Sequence, residues 1–335
     1  MSTERLVIGA VVAAVAIFLL VLVVTVPHDP SLPVVYIVYS SEKGDNSYTD
    51  SAYRGLFAAQ EAMLFSKREF TSLDPQQFPG LNGSGGSPKP GLVITVGYPY
   101  TNDTKRLAAE NPEIRFLAID QTGIGSANVG SYEISSYGDS YLAGVLAASA
   151  SKTHKTGIIL GTRTALLDMF RQGYLDGVHA ADPAATVDVA YVHETTAGFS
   201  DPARAGRIAG GMYRNGTDVI YTVAGLSGTG AIMEAKTAPG RYIIGVDSDQ
   251  TDLGPSVVLA SAVNHMDTVV QTGIREYLNG SFNGGNTVAG LNEGVTGLVF
   301  NPKFAPYNTT VIAWEAKAKN AEARYLAART AQISV

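Results

Sequence analysis

The 335-residue chain contains no cysteine. Disulfides, thiol nucleophiles, Cys-ligated zinc, iron–sulfur clusters and a lipid-modified N-terminal Cys are therefore excluded. Histidine is scarce at 5 residues, too few for a His-rich metal centre. Charge is scarce too: Asp, Glu, Lys and Arg make up 16% of the chain, against about 25% in an ordinary globular protein. The balance is acidic, with 30 Asp and Glu against 24 Lys and Arg, a net charge of −6. Such a surface repels phosphate backbones and anionic headgroups, so nucleic acid is not an expected partner. Catalytic signatures are also missing. There is no G-x-S-x-G elbow and no legible Ser/His/Asp set, and His154, His179, His193 and His265 are scattered. The scattered Asp residues have no metal-ligand spacing. No catalytic residue, cofactor or metal is expected.

One long apolar run is present. Residues Leu6 to Val26 carry no charge, and 21 residues at about 1.5 Å each span a bilayer core. Arg5 precedes the run, and His28 and Asp29 follow it. This order predicts a cytoplasmic tail (1–5), a single-pass anchor (6–26), a stiff tether (27–33) and a folded part outside the cell membrane. A cleaved signal peptide is the alternative, although no small-x-small cleavage site precedes Pro27. Five N-x-S/T sequons at Asn82, Asn102, Asn215, Asn279 and Asn308 fit an external domain, mostly on loops.

Beyond the tether, apolar runs alternate with helix-periodic stretches. The strand-like runs are 33–40, 91–97, 114–120, 156–161, 186–192, 218–225 and 242–247. Helical periodicity marks 51–64, 139–151, 165–180, 202–216 and 266–280. Continuous apolar strands between helices indicate parallel sheets covered on both faces. The 36 Gly and 15 Pro carry no period and read as turns, and 74–90 reads as a loop or weak element. There are too many βα units for one small sheet. A Rossmann pair or a hinged two-domain α/β protein fits the length.

Open α/β sheets bind ligands at the C-terminal ends of their strands. After the first strand come Asp45, Asn46, Ser47 and Tyr48, which suit either a polar ligand at a helix N-terminus or an Asp/Ser cap with a packed Tyr. Later strands end at Gly97-Tyr98, Asp120, Phe199 and the turn AGLSGTG (224–230). That turn lacks the Lys-Ser/Thr of a P-loop and the spacing of a dinucleotide site, so it suits backbone approach to a neutral ligand. Asp247 ends an apolar strand. Its two oxygens suit a vicinal diol, and equally a cap on the next turn.

The ordered segments GDNSYTDSAYRGL (44–56), GLVITVGYPYTNDTKRLAAENPEIRFLAID (91–120), SYLAGVLAA (140–148), GFSDPARA (198–205), AGLSGTGAIMEAK (224–236), IGVDSDQ (244–250), VLASAVNHMD (258–267) and LNGSFNGG…GLNEGVTGL (278–298) carry a resemblance. Together the chain resembles the basic membrane protein family of solute-binding proteins, which includes PnrA-like purine-nucleoside receptors of ABC importers. The resemblance implies a periplasmic-binding-protein type I fold: two doubly wound parallel-sheet lobes, three crossovers and a hinged cleft. Lobe 1 would be 34–148 plus 251–283 and lobe 2 149–250 plus 284–320, with 321–335 a C-terminal tail. It also implies a nucleoside ligand and partner permease and ATPase subunits. Tyr48 and Phe199 would sandwich the base, and Tyr98, at its strand end, is a further candidate for ligand binding. Asp45, Thr49 and Asp120 would read its edge. Asp247 would hold the ribose hydroxyls, and the turn from Gly225 to Gly228 would approach the sugar. The sequence departs from the family pattern at Tyr48 (Phe), Thr49 (Asn) and Asn264 (Lys), the last removing a cation near the sugar. A sensory or structural ectodomain on the same fold, or a sugar-specific binder, remains an alternative.

Overall fold

The computed structural model describes residues 32–74, 77–83 and 87–333, with side chains to 330. The expected anchor at 6–26, the tail before it and most of the tether lie outside the described residues. Among the described residues no helix is long and apolar enough to cross a membrane.

In chain order the elements are β1 (Val34–Tyr39), α1 (Tyr48–Ala62), β2 (Ser66–Phe70), β3 (Leu92–Val96), α2 (Thr101–Glu110), β4 (Arg115–Ile119), β5 (Val129–Ile134) and α3 (Tyr137–Ala150). Then come β6 (Lys155–Leu160), α4 (Ala165–Ala181), β7 (Thr186–Tyr191), α5 (Pro202–Arg214), β8 (Val219–Val223), α6 (Gly228–Ala235) and β9 (Tyr242–Asp247). The last are β10 (Val258–Asn264), α7 (Met266–Leu278), β11 (Gly285–Ala289), β12 (Thr296–Phe300), α8 (Pro306–Ile312) and α9 (Glu315–Ile333).

The strands form two sheets of six within one compact unit that begins at Pro33. Lobe 1 has the order β11-β5-β4-β3-β1-β2, all parallel. Lobe 2 has the order β12-β10-β9-β8-β6-β7, parallel except where β12 runs against β10. The period-2 pattern explains why β1 is apolar throughout. Val35, Ile37 and Tyr39 join the core under α1 and α7, while Val34, Tyr36 and Val38 join the core on the opposite face.

Helix α3 is buried nearly all round, as its apolar sequence requires. Glycines let it touch α4 backbone to backbone. A Cβ on Gly177 would stand 2.0 Å from the Tyr141 carbonyl oxygen, and one on Gly144 would stand 2.2 Å from that of Tyr174. We expect Gly177→Val to force the helices apart and cost about 3 kcal/mol by denaturant unfolding. An unchanged midpoint would show that this contact carries no weight.

The chain crosses between lobes three times, at places that differ from the expected boundaries. Helix α3 belongs to lobe 2: its side chains share a core with β6 and β8, so the first crossing is at Ser135–Ser136. Strand β10 also lies in lobe 2, and the second crossing falls between Asn264 and α7, whose apolar face packs into lobe 1. Strand β11 pairs with β5 in lobe 1, so the third crossing follows Ala289. Residues 321–330, expected as tail, belong to α9, which docks on α3 through stacked Tyr325 and Tyr137 rings 4.5 Å apart.

Candidate functional site

The strand ends where a ligand could sit carry unusual backbone. Asn46, Asp120 and Asp247 have φ of +50°, +54° and +64°. Left-handed geometry costs a non-glycine residue about 1 kcal/mol, and such strain gathers at functional sites. In lobe 1 the residues stand on the adjoining ends of β4 (Asp120), β3 (Tyr98) and β1 (Asp45 to Thr49). In lobe 2 they stand on β9 (Asp247), β8 (Gly225 and Gly228) and β6, over which Phe199 lies.

Asp247 is the best-defined group. Its Oδ2 accepts from the Ser47 hydroxyl at 2.5 Å, and its Oδ1 accepts from the Asn264 amide at 2.9 Å. Asn264 thus remains a donor beside Asp247, though a neutral one, and its own Oδ1 accepts from Ser136 at 3.2 Å. Burial, with Asp45 and Asp120 nearby, pushes the Asp247 carboxyl up to about 7 against the pull of its two donors. Asp120 is likewise pushed up to about 6, chiefly by burial. One of its oxygens accepts the Ile134 amide at 3.1 Å. The Tyr48 hydroxyl is buried beside Asp120 without a well-formed hydrogen bond, with Asp45 and Asp247 also in electrostatic range. Tyr48, Asp45, Asp120, Asp247 and Asn264 are therefore gathered across both lobes.

Two expected base-edge readers are otherwise engaged. Asp45 accepts backbone amides from Ser47, Thr49 and Asp50 at 2.9, 2.9 and 3.2 Å, and so caps α1. The Thr49 side chain is buried and shares a 2.5 Å bond with Ser41. Capping of α1 takes the Asp45 carboxylate, and a local side-chain bond takes the Thr49 hydroxyl. Tyr98 sits half-buried in the short turn Tyr98–Tyr100 after β3.

Phe199 packs on the lobe 2 core, while Tyr48 packs on that of lobe 1, so each lobe supplies one ring. The Phe199 ring rests on Gly161 at the end of β6, where a Cβ would come within 2.6 Å of it. Gly225, at φ +53°, lies against the Phe199 backbone. Since β6 and β9 flank β8, the end of β6 under the Phe199 ring lies two strand spacings, about 10 Å, from the end of β9 that carries Asp247. That suits a ligand with a flat end and a hydroxylated end.

A seam of hydrogen bonds that no sequence motif marks joins the lobes here. Arg54 donates to Ser248 Oγ at 3.1 Å, Ser248 donates to the Ser47 carbonyl at 2.9 Å, and Gln250 donates to the Asn46 carbonyl at 3.2 Å. No motif marks these residues, because each partner is about 200 positions away. Two cavities lie elsewhere: about 760 Å³ between α5 and α6, and about 250 Å³ beside Tyr39, Lys43 and Glu69. Neither touches the strained strand ends.

The profile of a family described as ABC transporter substrate-binding protein, PnrA-like, matches residues 32–324. The chain belongs to this family. PnrA-like chains bind a substrate for an ABC transporter and do not convert it, in keeping with the missing catalytic signatures. Among relatives, basic membrane protein A1 of Borrelia garinii subsp. bavariensis is 31% identical over 288 residues, 83% of each chain. The ABC transporter nucleoside-binding protein BmpA of Lactococcus lactis subsp. cremoris is 34% identical over 213 residues, 59% of this chain and 60% of that one. A solved ABC-transporter solute-binding protein from Aeropyrum pernix K1 superposes with a TM-score of 0.72 at 26% identity, covering 84% of this chain and 80% of that one. The PnrA-like assignment accounts for the two parallel-sheet lobes joined by three crossings.

Proposed function

We propose that this chain captures a nucleoside, a purine nucleoside foremost, between its lobes outside the cell and hands it to an ABC importer. The observation that carries the reading is Asp247. It is a strained, half-buried carboxylate at the end of β9, held by one donor from each lobe, and it lies two strands from β6, over whose end the Phe199 ring rests. Each of its oxygens keeps a lone pair for a ribose hydroxyl. Tyr48 and Phe199 flank the base, Asp120 meets its edge, and the Gly225 turn lets backbone approach the sugar. Closing the lobes excludes water and strengthens every bond inside. The nucleoside-binding relative from Lactococcus supports this choice of ligand. The apolar run 6–26 supports a single-pass anchor with a cytoplasmic N-terminus, which would hold the binding unit near its permease and raise its effective concentration there.

Calorimetry on the full chain in detergent, across ribonucleosides, free bases and ribose, tests the ligand. A purine nucleoside should bind at about micromolar Kd or tighter, well ahead of its base or of ribose alone. Absence of heat with every nucleoside overturns the reading, and tighter binding of a sugar makes the chain a sugar binder.

A further inference from the structure

Ser47 sits at the N-cap of α1, where a serine ordinarily accepts a backbone amide of the first turn. Its side chain makes no such bond. Asp45 has taken over capping, and the fully buried Ser47 hydroxyl is released to donate across the lobe boundary to Asp247. The Ser47 carbonyl is gripped from the same side by Ser248, which is in turn held by Arg54. We propose that Ser47 is a positioning residue of the site, which reaches from lobe 1 to lobe 2 and fixes the Asp247 carboxylate in the orientation that receives a ligand's vicinal hydroxyls. This rests on the nucleoside reading above.

The geometry gives the reason. Ser47 and Asn264 approach different oxygens of Asp247, and a carboxylate oxygen has two lone pairs. One acceptor position is left on each of two neighbouring oxygens, the pattern that two adjacent hydroxyls require. Ser47 belongs to one lobe and Asp247 to the other, so the bond forms only when the lobes meet here. Ligand grip and lobe closure then share one hydroxyl, which is how a ligand gains differential affinity for the closed form.

Ser47 also governs the proton on Asp247. The titratable groups facing that carboxyl are Asp45 and Tyr48 from the start of α1, Asp120 from the end of β4, Asp139 from α3 and Tyr221 from β8. Those carboxylates and burial favour the protonated form, while the Ser47 and Asn264 donors favour the ionised form that can accept two hydroxyls.

The test compares the full chain with Ser47→Ala, and with Ser47→Gly as a second deletion of the hydroxyl that keeps a good N-cap residue. Binding is measured for a purine ribonucleoside and its 2′,3′-dideoxy analogue, and the Asp247 carboxyl is titrated by NMR without ligand. Deleting the hydroxyl should weaken the ribonucleoside roughly tenfold at neutral pH and leave the dideoxy analogue unchanged. The Asp247 titration should move upward from about 7. Equal losses for both ligands, or an unmoved titration, overturn the role given to Ser47. If the unaltered chain binds no nucleoside, the ligand reading fails instead, and the titration alone decides whether Ser47 controls Asp247.

Discussion

Asp247→Ala should lower affinity for a purine ribonucleoside by roughly two to three orders of magnitude and leave the free base within a few-fold. The carboxylate offers two charge-assisted acceptor positions to the ribose, each worth about 1.5–3 kcal/mol in a dry site. A free base has no hydroxyls to place there. Calorimetry with the ribonucleoside and its base separates the outcomes, and equal losses for both would remove Asp247 from the sugar contact. The pH dependence has two opposite limbs. Binding needs the ionised form, so affinity should fall as pH drops through about 7. Stability of the empty protein runs the other way. The folded-state value lies above the ordinary 3.8, so the contribution of this group is full below the ordinary value and is lost as pH rises through about 7. The ligand-free chain should therefore be more stable at about pH 5 than at about pH 8 as far as Asp247 and Asp120 are concerned, and ligand should narrow the difference.

Glu322→Ala should destabilise the folded chain by about 3–5 kcal/mol. Glu322 is almost fully buried on α9 and accepts from Ser135 Oγ at 2.7 Å, the Gly138 amide at 3.2 Å and the Leu291 amide at 3.0 Å. Ser135 lies on the first crossing, Gly138 opens α3 and Leu291 lies on the third crossing. Arg329 of the same helix pairs with Glu133 at the end of β5. One carboxyl thus fastens two hinge segments to the C-terminal helix, and alanine leaves three buried donors without partners. Glu322→Gln keeps an acceptor and should cost much less, because burial already pushes this carboxyl toward its neutral form. Urea unfolding of both variants checks the pair. A loss below about 1 kcal/mol for alanine would mean that water replaces the carboxyl and that the helix is no clamp.

How far the sequence could be read depends on how local each signal was. Buried strands such as β1, β3 and β9 are apolar because both faces are covered, and they were legible within a residue or two. β2, with the sequence SKREF, was invisible: it lies at the sheet edge, half-exposed, where charged residues guard against further pairing. β11 is another largely exposed edge strand. The lobe boundaries implied by the resemblance were displaced because α3, β10 and β11 carry no local mark of the sheet they join. Among the candidate site residues, the strand-end rule led to Tyr48, Asp120, Phe199 and Asp247. It did not show that Asp45 and Thr49 are engaged in local bonds around the first turn of α1, nor that Ser47 is free of the cap.

The chain's own pattern of apolar periods settled that this is an α/β protein built on parallel strands, since burial imposes its period on each element separately. Only the folded arrangement decided which lobe each late element joins, that α9 bolts the hinge, and that Asp247 is held by Ser47 from 200 positions away. Those outcomes depend on which surfaces pack together, and side-chain packing acts between neighbours in space rather than along the sequence.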